Sequence, residues 1–368
     1  MKNIILLSYE READYRMAVF AVLSFWAWFS GKKSDVRIFI FTDNPGFFYP
    51  LLSDFPIEYE YLSASKLESM LGGMDYIHRR KIAVVDEVFQ RFPSDDLVFL
   101  DSDIFFMSDA LPWLESFAPG KSYMHLAEHT FEGAVRHNAS FNHEHYPIAL
   151  IKLIESKTFT VRKKVKSFHK KQVYWNSGVL GLTKESAPLL PDVFTLNDEF
   201  YSATRWHISE QLAFSLVLQT ATQILPCDQY ILHYWGQRQK KFIDKILLSV
   251  YNDGFTCLDL ENKLATVKKL SLRFPKLIQA DKLKERSIDA FSRNCFLSGC
   301  KNALYGLAKT PFDFNFLREL VSVAQQKFMR GGNNKEAEAM HDFFSSTEEA
   351  YQSQEEHIDS DSAHRKAK

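Results

Sequence analysis

The sequence has almost no net charge, few cysteines and no long apolar run. Its 45 basic residues balance 46 acidic ones, so no overall field favours nucleic acid as a partner. The four cysteines are scattered and form no CxxC pair, which argues against a disulfide framework and against a zinc site. Reduced thiols are typical of the cytoplasm, where we expect this protein to be. Thirty-two phenylalanines and 46% apolar residues predict a folded chain with a large core.

The N-terminal region lacks the features of a secretory or membrane segment. Only the short apolar run Ile4–Leu7 precedes the charged residues that begin at Glu10. The apolar stretch Met17–Ser30 has 14 residues, whereas a membrane-spanning helix needs about 20. This stretch therefore predicts a buried helix, and an interfacial membrane segment is the alternative.

Strand and helix patterns alternate over the first two thirds of the chain. A strand at Lys2–Tyr9, a helix at Ala13–Phe29 and a strand at Val36–Thr42 make one βαβ unit, which predicts a mainly parallel sheet covered by helices. Asp43–Gly46 predicts a turn. The same patterns predict strands at Phe55–Leu62, Leu97–Leu100 and Thr222–Leu225, and a strand with a glycine-containing turn at Val173–Leu182. They also predict a strand end or loop at Tyr230–Gly236, and helices at Ile77–Phe92 and Ser209–Thr220.

The pattern changes near Leu247, which sets the predicted domain boundaries. Residues 1–246 are predicted to form the α/β domain. Short, lysine-rich amphipathic helices predict a helical C-terminal extension over residues 247–345. Residues 346–368 are polar and charged, and are predicted to be disordered.

The strongest chemical motif is Asp101-Ser102-Asp103, directly after the apolar strand Leu97–Leu100. Ligands of α/β sheets bind at the carboxyl ends of the strands. Two carboxylates separated by one residue can face one cation, and such oxygen ligands suit Mg²⁺ or Mn²⁺ bound to a diphosphate. A solvated acidic turn is the alternative, but apolar segments on both sides favour the metal site.

A second and a third motif follow later in the chain. Asn176 has an amide that can hydrogen-bond sugar hydroxyls, and Gly178 permits close approach of a ligand to the backbone. A tight turn explains both residues equally well. Glu210 and Gln211 begin an apolar helix after Ser209, where an N-cap serine and a dipole-compensating glutamate are the structural explanation.

A fourth motif combines His233, Gly236 and Lys240. A neutral histidine is a ready metal ligand, and a lysine can meet a phosphate as a point charge. A histidine with a purely structural role is the alternative.

The order of these four motifs resembles the glycosyltransferase A-fold (GT-A) family, which includes glycogenin and bacterial lipopolysaccharide galactosyltransferases. The resemblance covers about Lys2 to Lys241. It implies a Rossmann-like GT-A fold, with a mixed and mostly parallel sheet flanked by helices. It also implies a nucleotide-sugar donor, favouring UDP, and a divalent metal, usually Mn²⁺ with Mg²⁺ as the other choice. The family often continues its H-x-x-G motif with Lys-Pro-Trp and usually has Asp where Glu210 stands; here Gln237 to Lys240 follows Gly236.

The resemblance further implies roles for individual residues. Asp101, Asp103 and His233 are similar to the three metal ligands, and Glu210 and Gln211 to the pair beside the anomeric carbon. The remaining residues resemble those that contact the donor. Ser8 and Tyr9 resemble contacts to the base and ribose, and Asp43 resembles the contact to the uracil edge. Arg80 or Lys81 resembles a contact to phosphate or sugar, Asn176 and Gly178 resemble contacts to the sugar, Gly236 with Lys240 resembles a contact to the diphosphate, and Ser102 lies within the DxD motif.

These features predict a metal-dependent transferase that moves a sugar to a glycan, a glycolipid or another cell-envelope acceptor. The resemblance favours retention of configuration; an inverting enzyme would use Glu210 as the base. One alternative is a sugar nucleotidyltransferase, which needs a Gly-rich basic loop after the first strand, whereas Ser8–Asp14 is acidic and contains no glycine. The other is a non-catalytic nucleotide-sugar-binding protein of the same fold.

Two basic runs remain outside these motifs, Val161–Lys171 and Lys263–Lys284. A solvated surface is one interpretation. Contact with a phosphorylated glycan or with an anionic membrane is the other, and would make the protein peripheral to the membrane.

Overall fold

The computed structural model describes residues 1–293, 295–310 and 316–323. The segment predicted to be disordered, residues 346–368, lies outside the described residues, as does the end of the predicted helical extension. The chain divides into two compact units, Met1–Leu272 and Arg273–Lys368. All the predicted site residues belong to the first unit.

Seven of the strands form one sheet, in the order β12-β6-β11-β4-β1-β2-β3. The strands of the described residues are β1 Lys2–Leu7, β2 Val36–Thr42, β3 Ile57–Tyr61, β4 Asp96–Leu100, β5 Ile104–Phe106, β6 Lys121–Met124, β7 Ala127–Thr130, β8 Phe159–Val161, β9 Lys164–Lys166, β10 Val173–Trp175, β11 Val179–Leu182, β12 Gln223–Pro226 and β13 Ile231–His233. Strands β4, β1, β2 and β3 are parallel, β12 is parallel to β6, and β11 is antiparallel to both of its neighbours. The mixed, mostly parallel sheet that the sequence predicts is confirmed.

Helices of the first unit cover this sheet, which explains why β1 and β2 are mostly apolar and buried. The helices of both units are α1 Glu12–Trp28, α2 Pro45–Leu52, α3 Ala64–Ser69, α4 Arg79–Arg91, α5 Leu111–Glu115, α6 Phe131–Ala139, α7 His145–Ser156, α8 Leu190–Thr204, α9 Ser209–Ala221, α10 Gln237–Val250, α11 Asp253–Thr256, α12 Leu260–Ser292 and α13 Phe296–Lys309, with 3₁₀ turns at Lys33–Asp35 and Lys184–Leu189. The helical character predicted after Leu247 is confirmed for the described part.

Helix α1 contains the apolar stretch Met17–Ser30 almost entirely, and it is a core helix. Its residues from Met17 to Trp26 are all buried, and it packs against β5, α2 and α10. Arg16 at its beginning donates two hydrogen bonds to Asp244 of α10, at 2.7 and 3.1 Å, which fixes α10 beside it. Among the described helices, none combines the length and the apolarity that crossing a bilayer requires.

Three local predictions differ from the structure. The segment Val173–Leu182 forms two strands of different sheets, because the chain turns away at Asn176–Gly178 and Asn176 exchanges backbone hydrogen bonds with the segment His125–Leu126. Helix α2 begins within the predicted turn, since proline is favourable at the first position of a helix. The lysine-rich region is predicted as short helices only, but it contains one helix of 33 residues, α12, with Pro275 inside it, besides the shorter α11 and α13.

Candidate metal centre and its surroundings

Strand pairing brings the two aspartates and the histidine together. Asp101 and Asp103 lie in the turn between β4 and β5, and β13 pairs with β5 so that His233 lies opposite Ile104. The backbone N–H of Tyr234 donates to the carbonyl of Asp103 at 3.0 Å. As a result, one ligand atom from each of Asp101, Asp103 and His233 lies within 4.8 Å of the other two, although His233 is 130 residues away in sequence.

Asn176 determines which nitrogen of His233 faces the carboxylates. The Asn176 Nδ2 donates to Glu128 Oε1 at 2.8 Å, so its Oδ1 must point the other way, where it accepts from the N–H of Gly178 at 2.9 Å. The same Oδ1 lies 2.8 Å from His233 Nδ1, which therefore carries the proton. When the ring is neutral, Nε2 therefore presents its lone pair to Asp103 Oδ1 at 3.3 Å and to Asp101 Oδ2 at 3.8 Å.

This ligand set fits a divalent cation. A lone pair facing two carboxylates is repulsive unless a cation lies between them. Carboxylate oxygens suit Mg²⁺ or Mn²⁺, and a neutral imidazole whose other nitrogen is hydrogen-bonded is a well-oriented third ligand. The side chain of Asp101 is 26% exposed, whereas those of Asp103 and His233 are buried, so Asp101 is the ligand nearest to solvent.

Asp103 is buried but remains ionised. Burial raises the pKa of its carboxyl group, but a protonated His233 ring and the Lys240 ammonium lower it by more, so that the pKa is below its usual range. With His233 neutral, as a metal ligand, the Lys240 ammonium and the cation would supply the opposing charge. Lys240 Nζ lies 2.7 Å from Asp103 Oδ2. Lys240 reaches this point because α10 begins directly after Gly236, whose carbonyl accepts the N–H of Lys240 at 2.9 Å.

Gly178 lies directly against the His233 ring. A Cβ at position 178 would be 2.2 Å from His233 Nδ1, far inside van der Waals contact. The carbonyl of Gly178 also accepts the N–H of Asp101 at 2.9 Å, so it touches two of the three ligands. Close packing against a metal ligand is therefore a sufficient reason for glycine here.

We expect Gly178→Ala to weaken Mn²⁺ binding by at least about tenfold, because the methyl group displaces a ligand ring held by a hydrogen bond. Calorimetric or electron paramagnetic resonance titration of the protein with Mn²⁺ measures this. Gly46→Ala is the matched control, since a Cβ there would lie 3.6 Å from its nearest neighbour. Equal Mn²⁺ affinity in the two variants would contradict the assigned role of His233.

Lys81 is a buried ammonium between two carboxylates. Its Nζ lies 3.0 Å from Asp101 Oδ1 and 2.8 Å from Glu210 Oε1, and it donates to the carbonyl and the hydroxyl of Ser177, both at 3.2 Å. Burial lowers the pKa of Lys81, but the carboxylates of Asp101 and Glu210 raise it by more, so the side chain stays charged. Lys81 thus connects the metal centre to the beginning of α9.

Glu210 and Gln211 are fixed at the N-terminus of α9. Glu210 Oε1 accepts from Ser177 Oγ at 2.7 Å, and Gln211 Oε1 accepts from the N–H of Ser177 at 3.3 Å. The interpretation of Ser209 as an N-cap is wrong, because Ser209 is already helical and its hydroxyl donates to the carbonyl of Trp206 at 2.6 Å. Instead, the N–H of Glu210 donates to Tyr76 Oη at 3.1 Å.

Two site residues were not predicted from the sequence. One carboxylate oxygen of Glu128 accepts a hydrogen bond from Asn176 Nδ2, and the other accepts one from Gln211 Nε2 at 3.1 Å. Glu128 therefore fixes the positions of both side chains. His125 is buried against the His233 ring, with its Nε2 3.1 Å from the carbonyl of Ile231, and burial lowers its pKa to about 3. Both lie in the stretch from Met107 to Lys170, where no motif marks them.

Ser8, Tyr9, Asp43 and Arg80 form a second group at the same edge of the sheet. Leu6 pairs with Leu100 and Leu7 with Phe41, so β1, β2 and β4 end side by side. The Arg80 guanidinium lies 5.0 Å from the centre of the Tyr9 ring. Asp43 accepts from Tyr15 Oη at 2.6 Å and from the N–H of Glu10 at 3.1 Å. The buried Ser8 hydroxyl has no hydrogen-bond partner among the described residues.

The structure therefore places the predicted residues in two groups. The metal-centre group contains Asp101, Asp103, His233, Lys81, Asn176, Gly178, Glu210, Gln211, Gly236 and Lys240, with Ser102 half-buried between the aspartates. Asn176 and Gly178 are engaged with His233, and Lys81, not Arg80, is the basic residue of this group.

No protein-family profile matches the sequence, and no curated protein matches it either. Solved structures with a similar fold include three glycosyltransferases. The galactosyltransferase LgtC, in complex with donor and acceptor sugar analogs, is 11% identical over 68% of this chain and 96% of its own, with a TM-score of 0.43. The glycosyltransferase GlyE of Streptococcus pneumoniae TIGR4 is 13% identical over 74% and 65%, with a TM-score of 0.42. Mouse xyloside xylosyltransferase 1 in its apo form is 14% identical over 62% and 85%, with a TM-score of 0.41. At these values the similarities carry no argument about activity, which must come from the site.

Proposed function

We propose that the protein is a metal-dependent glycosyltransferase that moves a sugar from a nucleotide-diphosphate sugar, favouring a UDP-sugar, to a glycan, glycolipid or other cell-envelope acceptor. One observation carries the proposal. A ligand set of two carboxylates and one oriented imidazole lies at the carboxyl edge of parallel strands, next to a buried ion pair of Lys81 and Glu210. This edge is where α/β sheets bind nucleotides.

Asp101, Asp103 and His233 would hold the cation, which supplies positive charge against the departing nucleotide diphosphate. Asp103 is kept ionised by its neighbours, and His233 is kept in the ligand tautomer by Asn176. Lys240 has a 24% exposed side chain at the beginning of α10, from which its ammonium can meet a phosphate oxygen.

The second group of residues supports a nucleotide contact at the ends of β1 and β2. The Ser8 hydroxyl is buried without a partner, and a ligand oxygen or N–H would satisfy it. The Asp43 carboxylate is held in place by Tyr15 and Glu10, and its Oδ2, which accepts only from Glu10, can accept one more hydrogen bond. A pyrimidine or ribose donor group matches these acceptors.

The environment of Glu210 favours retention of configuration. Its Oε1 already contacts the Lys81 ammonium and accepts a hydrogen bond from the Ser177 hydroxyl. This oxygen is therefore occupied and badly placed to take a proton from an acceptor hydroxyl. The carboxylate is well suited to stabilise positive charge that develops at the anomeric carbon of an oxocarbenium-like transition state.

Gln211 would line the reacting face, and Glu128 orients it. Gln211 Nε2 donates to Glu128 and its Oε1 accepts from Ser177, so its amide has one defined orientation. This preorganisation places a neutral dipole beside the anomeric carbon without reorganisation during the reaction.

The two contacts of Glu128 can be separated by substitution. Glu128→Ala should lower Mn²⁺ affinity about tenfold, because Asn176 loses the partner that fixes its amide. Glu128→Gln still accepts from Asn176, so its Mn²⁺ affinity should stay close to that of the unaltered protein. It places an NH₂ group against Gln211 Nε2, however, so turnover should fall. If Glu128→Ala bound Mn²⁺ as tightly as Glu128→Gln and the unaltered protein, Glu128 would not orient the metal centre.

Donor hydrolysis tests the proposed function. Purified protein is incubated with a panel of UDP- and GDP-sugars in Mn²⁺ or EDTA, and released nucleotide and the anomer of the free sugar are measured. We expect metal-dependent release of nucleoside diphosphate from one donor, with retained configuration. Release or consumption of pyrophosphate would indicate a nucleotidyltransferase, and metal-dependent donor binding without turnover, even with acceptor extracts, would indicate a non-catalytic binding protein.

A further inference from the structure

The basic hairpin, residues 159–166, is formed by β8, β9 and a two-residue turn. Val161 pairs with Lys164, so Arg162 and Lys163 alone make the turn. Both have left-handed backbone conformations, with φ of 52° and 62°. A turn of this kind strongly prefers Asn-Gly, and side chains of the arginine and lysine type are strained in it. The sequence therefore keeps two cations at a position where folding alone favours small residues.

The cations of the basic hairpin and of the two residues Lys170 and Lys171 form no ion pair within the part of the chain that the structure describes. Arg162, Lys163 and Lys164 are exposed, Lys166 is half-buried, and Lys170 and Lys171 are exposed just after the hairpin. None of these six side chains takes part in a salt bridge with the described residues. Two carboxylates near them bind backbone: Asp192 accepts the N–H of Arg162 at 2.8 Å, and Glu155 accepts that of Lys170 at 3.3 Å.

The hairpin also carries an exposed apolar side chain, Val165, and its opposite side is packed into the core. Val165 is 71% exposed and lies opposite Thr160 on the solvent side of the hairpin. On the other side Phe159 and Val161 are buried, and the Phe159 ring packs on that of Phe168 at 5.3 Å. The hairpin is therefore anchored in the core by Phe159 and Val161, and it presents the turn cations Arg162 and Lys163 close to an exposed valine.

The second basic run does not share these properties throughout. Lys263 is buried and forms an ion pair with Asp54 at 2.8 Å, and Lys284 is buried in contact with Thr310. The fold uses both lysines internally.

We propose that the basic hairpin docks the protein on an anionic lipid surface. A bilayer with acidic headgroups offers charge without fixed geometry, which matches six cations spread over a projection, and its interface accepts an exposed valine. An anionic glycan would gain nothing from Val165, so the lipid surface is favoured over it. This inference does not depend on the proposed transferase activity.

Sedimentation of the full chain with vesicles tests this, using phosphatidylcholine alone or mixed with phosphatidylglycerol. We expect binding only to the mixed vesicles, and weaker binding at high salt. Arg162→Asn combined with Lys163→Gly installs the favoured turn residues, so it should fold at least as stably as the original chain while binding about 30-fold more weakly. Val165→Ser should also weaken binding.

Lys245→Gln combined with Lys269→Gln is the control, because it removes two exposed lysines elsewhere in the first unit. Equal losses in the control and the turn variant would overturn the proposal in favour of general charge attraction. The proposal would also be overturned if the protein did not bind the mixed vesicles but was retained on immobilised polyphosphate through the hairpin. That result would assign the hairpin to a soluble polyanion.

Discussion

Asp103→Asn should reduce metal-dependent donor turnover on the order of 1,000-fold, with little change in the fold. The asparagine amide has the same shape as the aspartate carboxylate. The substitution removes a buried negative charge, however, which faces His233 and Lys240 and would bind the cation. Loss of the cation's charge stabilisation, about 4 kcal/mol, corresponds to this factor. Steady-state release of nucleotide in Mn²⁺ measures it.

Glu115→Gln is the control for Asp103→Asn, since it neutralises an exposed carboxylate at the end of α5 that makes no ion pair with the described residues. Its turnover should equal that of the unaltered protein. If Asp103→Asn kept more than a tenth of the activity at saturating Mn²⁺, the DxD motif would not be the metal centre.

Lys81→Met should lower the free energy of unfolding by about 3–5 kcal/mol, because it leaves the carboxylate of Glu210 buried without its charged partner. The side chains of Lys81 and Glu210 are 8% and 4% exposed. Urea denaturation followed by tryptophan fluorescence measures the loss. All six tryptophans precede Arg273, so the signal reports on the first unit alone.

Lys66→Met is a closely matched control. Lys66 forms an ion pair with Glu87 at the same 2.8 Å, but both side chains are 29% exposed, so its removal should cost less than about 1 kcal/mol. The double variant Lys81→Met with Glu210→Gln should regain part of the lost stability, since the unpaired buried charge is removed. Similar losses in Lys81→Met and Lys66→Met would mean that the buried ion pair is not a structural centre of the site.

The sequence predicts the parallel part of the fold well because the signal is local. Strands buried on both faces, such as Val36–Thr42, are continuous apolar runs, and the structure confirms that strand with the same bounds. The metal ligands could be proposed because Asp101 and Asp103 follow such a strand directly. The addition of His233 depended on motif order, and the β5–β13 pairing that places it opposite Ile104 is a long-range contact.

The connections between side chains could not be predicted in the same way. Asn176 was interpreted as a sugar contact or as a turn residue; the structure shows that its Oδ1 and Nδ2 connect His233 to Glu128. Such a connection depends on the register of strands far apart in sequence, and Glu128 carries no local pattern. Likewise, the basic run around Arg162 gave no indication of a strained two-residue turn, because its residues are those that such turns disfavour.

The most direct test of the account is the affinity of the unaltered protein for UDP with Mn²⁺ and with EDTA, measured by calorimetry. We expect binding that depends on the metal, because Asp101, Asp103 and His233 would hold the cation that meets the diphosphate. Affinity that is the same in EDTA, or absent in both conditions, would contradict the assignment of these three residues to a metal centre for a nucleotide-sugar.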